Sequence, residues 1–209
     1  MSIAKKVAAA LLKINAIKLN PDDPFTWASG WKSPIYCDNR LSLSYPETRT
    51  FIKELLATTI KQNFPEVEAI AGVATAGIPQ GALVAEQLGL PFIYVRSKPK
   101  GHGMTNMIEG KIVEGQKVVL LEDLISTGGS SLKAAEALKE AKCNVLGMAA
   151  IFTYGFEIAN KNFEKAQIKL ITLSNYSAML EEAVAMNYIT ENNIESLSSW
   201  RTDPASWNA

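Results

Sequence analysis

The apolar positions of this chain follow two different periods. Ile3, Val7, Leu11 and Ile14 share one face of a helical pattern, and the spacing predicts a helix over 3–19. Phe51, Ile52, Leu55 and Leu56 mark a second helical stretch, and the intervening segment from Asn20 to Pro46 is irregular and rich in Pro, Asp, Trp and Gly. Beyond it, short apolar runs alternate with helical ones. Val67–Val73, Phe92–Val95, Lys117–Leu121, Val145–Phe152 and Ile168–Leu173 are expected strands. Pro79–Leu88, with Pro early and Gly89 just past its end, is an expected helix. So are Ser131–Ala141, Ala178–Ala185 and a stretch near the C-terminus. Ala74–Gly77 is a loop of small residues, and Arg96–Gly110 is a polar, glycine-rich loop.

Strands that alternate with helices imply an α/β fold, with a mainly parallel central sheet flanked by helices on both faces. Ligands in such folds sit at the carboxyl ends of strands. The loops that follow Val73, Val95 and Leu121 are therefore where chemistry is sought. A length of 209 residues suits one domain, residues 1–209, and there is no repeat, linker or low-complexity stretch to divide it.

Composition narrows the class. Hydrophobic residues are 47% and charged residues 20%, an ordinary globular balance. The 21 basic and 21 acidic residues cancel, so the chain lacks the cationic excess that broad nucleic-acid binding requires. Any anion site must be local. Two distant cysteines, Cys37 and Cys143, make no disulfide framework and fit a reducing, cytoplasmic setting. Lys13 interrupts the first apolar run and no small-residue cleavage site follows, so a signal peptide is not expected. No stretch approaches the ~18 apolar residues of a membrane span, and no membrane partner is expected.

The segment Val118-Val119-Leu120-Leu121-Glu122-Asp123-Leu124-Ile125-Ser126-Thr127-Gly128-Gly129-Ser130 is the most informative. A buried strand runs into two acids, then into small and hydroxylated residues, then into a helix. Small residues let backbone N–H groups approach an anion at a helix N-terminus, where the helix dipole also favours negative charge. Ser126, Thr127 and Ser130 add hydroxyl donors. Adjacent carboxylates suit a ligand with a phosphate, a vicinal diol and a metal, since they can accept from ribose hydroxyls and metal-bound water. Neither common nucleotide-binding glycine motif occurs in the chain. The segment resembles the phosphoribosyl pyrophosphate motif of type I phosphoribosyltransferases. That resemblance implies the fold of this family, Mg²⁺ held mainly through phosphoribosyl pyrophosphate rather than by direct protein ligands, and donor binding by Glu122 through Ser130, including Leu124, Ile125, Gly128 and Gly129. It also implies a catalytic role for Asp123.

Arg96-Ser97-Lys98-Pro99-Lys100-Gly101-His102-Gly103 concentrates positive charge in a neutral protein and holds the chain's only histidine. A basic loop flanked by glycines can close over a diphosphate and neutralise a leaving group. This loop resembles the catalytic loop of orotate phosphoribosyltransferases. The resemblance implies that Arg96, Lys100 and His102 bind the diphosphate, with Lys100 and His102 catalytic. It also implies a homodimer in which the 96–110 loop reaches the neighbouring subunit's site.

Phe25 to Arg40 resembles the N-terminal hood of the same family, so residues 1–45 are expected to supply a helix and a hood over the base site. Ser126, Tyr36 and Tyr154 are the candidates for orotate. Some relatives carry cationic side chains where this chain has Ala28, Ala76 and the Phe152–Gly155 segment, so how the orotate carboxylate is held stays open. Two alternatives remain: a phosphoribosyltransferase for another base, or a non-enzymatic sensor of phosphoribosyl pyrophosphate. The hood, the basic loop and the zero net charge stand against both.

Overall fold

The computed structural model describes residues 1–26, 30, 32–98 and 107–207. Six strands form the central sheet, in the order β10-β9-β8-β5-β6-β7. They are β5 (Ala69–Val73), β6 (Phe92–Val95), β7 (Ile108–Glu109), β8 (Lys117–Ile125), β9 (Asn144–Thr153) and β10 (Leu170–Asn175). All pair in parallel except β6 with β7.

Alternation along β8 sorts its side chains between two cores. Val119 and Leu121 join a cluster on one face with Val84, Ile52 and Leu56, while Val118 and Leu120 join Ala134, Leu138 and Phe163 on the other. The first cluster is covered by α1 (Ile3–Lys13), α2 (Pro46–Asn63), α3 (Gly77–Leu88), α6 (Tyr176–Ala185) and α7 (Ile194–Thr202). The second is covered by α4 (Gly129–Glu140) and α5 (Glu157–Lys165). Burial on both faces is why these strands are continuously apolar. Among the described residues, no helix is long and apolar enough to cross a membrane.

Several boundaries depart from the sequence expectation, and α5 was not among the expected helices. The first helix stops at Lys13 rather than reaching Leu19. Asn15 adopts a left-handed conformation at φ 56°, which asparagine tolerates better than most residues. The chain then reverses into β1 (Ile17–Leu19), paired antiparallel with β4 (Ile35–Cys37). In the irregular stretch, β2 (Phe25–Thr26) pairs with β3 (Lys32–Ser33), and a 3₁₀ turn spans Asn39–Ser44. The central strand does not end at Leu121 but runs on to Ile125, because Glu122, Leu124 and Ile125 keep pairing with Ala150, Phe152 and Thr153 of β9. Finally, the basic loop is shorter than 96–110. β7 returns antiparallel to β6, and Arg96 N–H donates to Met107 O at 2.8 Å, closing the hairpin's legs.

Candidate active site

The carboxyl ends of β5, β6 and β8 converge, as the alternating pattern predicts. Ala74, Arg96, Ser97, Ser130 and Lys133 border one small hollow there. Gly77 allows the closeness. A Cβ at this position would lie 2.3 Å from the Leu121 carbonyl oxygen, so only glycine lets α3 begin against the last residue before the acids. The peptide between Ala74 and Thr75 is cis.

The cradle is the turn from Ser126 to Gly128 and the start of α4. No side chain caps α4 and no acid lies in its first turn. By contrast, α1 is capped by the Ser2 hydroxyl and α6 by the Asn175 side chain. The first N–H groups of α4 lack a side-chain cap, as do those of α2, α3, α5 and α7, and they lie in the positive field of the helix dipole. Gly128 turns the chain at φ 80°. A Cβ there would come within 2.7 Å of the Phe163 ring, so the turn lies flat on α5.

The two acids are not equivalent. They differ in burial and in partners. Glu122 is buried and accepts from Ser131 Oγ and from the Asp123 N–H, each at 3.1 Å. Burial, reinforced by the Asp123 charge, pushes the Glu122 carboxyl up to about 8. Burial also raises Asp123, but a hydrogen bond from Glu122 acts against that rise. The two carboxyls thus titrate as a pair, with burial raising both.

The hood meets the acids through the 3₁₀ turn. Asn39 Nδ2 donates to Asp123 O at 2.8 Å, and Cys37 Sγ donates to Asn39 Oδ1 at 3.4 Å. Burial, with Asp123 and Asp38 nearby, holds the Cys37 thiol well above its usual range. Arg40 makes a two-pronged pair with Asp38, which lowers the Asp38 carboxyl. Tyr36 is exposed, with its ring 5.8 Å from that of Phe25. Tyr154 is buried, stacked on Phe156 at 5.3 Å and edge-on to Trp200 at 5.7 Å. Burial raises its hydroxyl well above the usual value.

Arg96 lies at the end of β6, 3.4 Å from Glu109 across the hairpin legs. Lys100 and His102, together with Ala28 of the hood, lie outside the described residues. Sequence reasoning missed Asn39, Asn162 and Trp200. Asn162 Nδ2 donates to Thr127 O at 3.0 Å, and Trp200 Nε1 donates to Lys32 O at 3.2 Å. No motif marks them; each acts through a contact distant in sequence.

A mainly parallel sheet whose central strand carries paired acids near its carboxyl end, followed by a turn of small residues and an uncapped helix start, is the arrangement of the phosphoribosyltransferase class. Residues 43–183 match the phosphoribosyl transferase domain. The chain is 59% identical to the orotate phosphoribosyltransferase of Cytophaga hutchinsonii, over 99% of each chain, and 56% identical to that of Listeria innocua, again over 99% of each. The crystal structure of orotate phosphoribosyltransferase from Aeropyrum pernix superposes with a TM-score of 0.76 at 28% identity, covering 88% of this chain and 99% of that one. Leishmania donovani UMP synthase gives a TM-score of 0.79 at 23% identity, a likeness of fold; it covers 95% of this chain, which spans 42% of that longer one. The chain belongs to the orotate phosphoribosyltransferase family.

Proposed function

We propose that this protein transfers the ribose 5-phosphate group of phosphoribosyl pyrophosphate to orotate, giving orotidine 5′-monophosphate and pyrophosphate in pyrimidine biosynthesis. The observation that carries the reading is the end of β8. Asp123 and the buried Glu122, which accepts from Ser131 Oγ, stand beside an uncapped helix start. In the reaction a bond forms between the ring nitrogen of orotate and the anomeric carbon, and the bond from that carbon to the pyrophosphate oxygen breaks.

The backbone N–H groups and hydroxyls of Ser126 to Ser130 hold the 5′-phosphate. Asp123 accepts from the ribose hydroxyls, and its negative charge favours the positive character that develops on the ribose. Glu122 holds the loop in shape through Ser131. Leu124 and Ile125 fix the strand end beneath the sugar. Ser126 and Tyr36 contact the base in this reading, while Tyr154, buried against Phe156 and Trp200, backs the site from the core. Arg96, Lys100 and His102 neutralise the departing pyrophosphate, and His102 has the intrinsic range to give it a proton. Orotate's nitrogen needs no strong base, so catalysis is mainly positioning and electrostatics.

Among the described residues there is no group of three or more His, Cys, Asp or Glu that could hold a metal ion. Asp123, an oxygen donor near the carboxyl end of β8, suits Mg²⁺ carried in on the diphosphate and reached through water. When bound, the ion supplies charge neutralisation of the leaving group. The loop between Arg96 and Met107 completes the site of a second copy in a homodimer, and the protein works in the cytoplasm. Residues 1–209 act as one domain, with 1–45 as its helix and hood; α1 packing on β10 and α6 supports this.

The test is loss of orotate absorbance on mixing the protein with Mg²⁺ and phosphoribosyl pyrophosphate. A decay that needs every component is expected, and Lys100→Ala should slow it by about 10²-fold or more without changing the unfolding midpoint. No decay, with phosphoribosyl pyrophosphate still bound, would move the assignment to another base or to a sensor.

A further inference from the structure

We infer that Asn162, on α5, is a positioning residue for the 5′-phosphate. The inference rests on the reading of 126–130 as the phosphate cradle. Asn162 Nδ2 donates to the Thr127 carbonyl oxygen at 3.0 Å. The Thr127–Gly128 peptide is trans, and in a trans peptide the C=O and the following N–H point in opposite directions. A donor that holds the Thr127 carbonyl from behind therefore aims the Gly128 N–H the other way, toward the front of the turn. The preceding anchor works alike. Ile125 O accepts from Thr153 Oγ1 and from Tyr154 N–H, each at 3.2 Å, which fixes the direction of the Ser126 N–H.

The neighbouring residue completes the clasp. Phe163 lies under Gly128 so closely that no Cβ fits there. Two consecutive residues of α5 thus hold the back of the turn, one by a polar contact and one by contact with the ring. Thr127 also borders an open hollow lined by Phe156, Ile158, Lys161 and Arg201. Water from that hollow can satisfy the Thr127 carbonyl when the amide is removed. Loss of Asn162 then frees the direction of a peptide without leaving a buried group unpaired, so binding suffers more than folding.

The 5′-phosphate is carried by phosphoribosyl pyrophosphate and by orotidine 5′-monophosphate, but not by orotate or pyrophosphate. This separates the role of Asn162 from a general structural one. In Asn162→Asp and Asn162→Ala, the KM for phosphoribosyl pyrophosphate should rise about three- to tenfold, and so should that for orotidine 5′-monophosphate in the reverse reaction. The KM values for orotate and pyrophosphate should stay within about twofold, a shift too small to reflect a lost hydrogen bond. Unchanged values for both phosphate-bearing ligands in an active variant overturn the inference. So does a uniform loss across all four ligands together with a lower unfolding midpoint. An inactive wild-type protein would instead count against the proposed reaction, and in that case binding of phosphoribosyl pyrophosphate alone, weakened or not by Asn162→Asp, decides the role.

Discussion

Asn39 Nδ2 donates to the carbonyl oxygen of Asp123 at 2.8 Å, bridging 84 residues of sequence. Asn39 is buried, its own carbonyl accepts from Ser42 Oγ at 2.6 Å, and Ser42 Oγ accepts in turn from Gln80 Nε2 at 3.3 Å. The hood, α3 and the end of β8 are thus joined by one short polar chain. Asn39→Ala removes this part-buried hydrogen bond and leaves the Asp123 carbonyl without this partner. A loss of about 1–3 kcal/mol of stability is expected from the unpaired groups. Turnover should fall further than stability predicts, because the backbone that carries the Asp123 carboxylate is released. Denaturant unfolding and steady-state kinetics on the same preparation check this. A variant with wild-type turnover would show that the hood contact does not position Asp123.

Glu122 makes a prediction about pH. Its folded carboxyl is raised to about 8 from an ordinary value of 4.5, chiefly by burial. Between these values the folded protein holds a proton that the unfolded chain releases. Stability contributed by this group is therefore present at low pH and is lost as pH rises from about 4.5 to about 8. Glu122→Gln keeps the shape: its oxygen can accept from the Asp123 N–H, and its amide can donate to Ser131 Oγ. In the ligand-free protein, the unfolding midpoint of the wild type should decline relative to Glu122→Gln across that window. Parallel curves would mean that Glu122 is already ionised in the fold.

How much of this was legible beforehand differs between kinds of residue. The parallel sheet and its three productive loops follow from apolar runs of the right length, and the cradle from small residues after paired acids. Those signals are local in sequence. The end of the first helix was misplaced because Asn15 and the pairing of Ile17 with Cys37 override a helical period that continues to Leu19. The difference between Glu122 and Asp123 could not be read from their adjacency, since it depends on β8 continuing to Ile125 and on Ser131 in the first turn of α4. Asn39, Asn162 and Trp200 were invisible because each is polar or aromatic for the sake of a partner far along the chain.

Gly128→Ala tests the fit between the cradle and α5. The position has φ 80°, which costs an L-residue about 1–2 kcal/mol, and the added Cβ would press on Phe163 at 2.7 Å. Strain and crowding together should lower stability by roughly 2–4 kcal/mol. Affinity for phosphoribosyl pyrophosphate should drop as well, because the turn must lift from α5 to make room. Titration calorimetry and thermal unfolding check both effects. In the double variant Gly128→Ala with Phe163→Leu, the smaller side chain should recover part of the crowding loss but none of the backbone strain.

Trp200 ties the C-terminal helix to the hood. It is fully buried, its ring lies 5.5 Å from those of Phe156 and Tyr176 and 5.7 Å from Tyr154, and its Nε1 donates to Lys32 O at 3.2 Å. Trp200→Ala removes a large side chain from a packed aromatic cluster and should cost about 3–5 kcal/mol. Trp200→Phe is the more informative change. It keeps an aromatic ring in the cluster but deletes the donor, so Lys32 O loses its link to α7. Stability should fall by about 1 kcal/mol for the hydrogen bond, with a further loss for the smaller ring. If the hood shapes the base site, the KM for orotate should rise while that for phosphoribosyl pyrophosphate holds, since the cradle is anchored through α5 and β9 instead. Equal changes in both constants would mean that α7 supports the whole sheet end rather than the hood, and an unchanged orotate KM would remove the hood strands from base recognition.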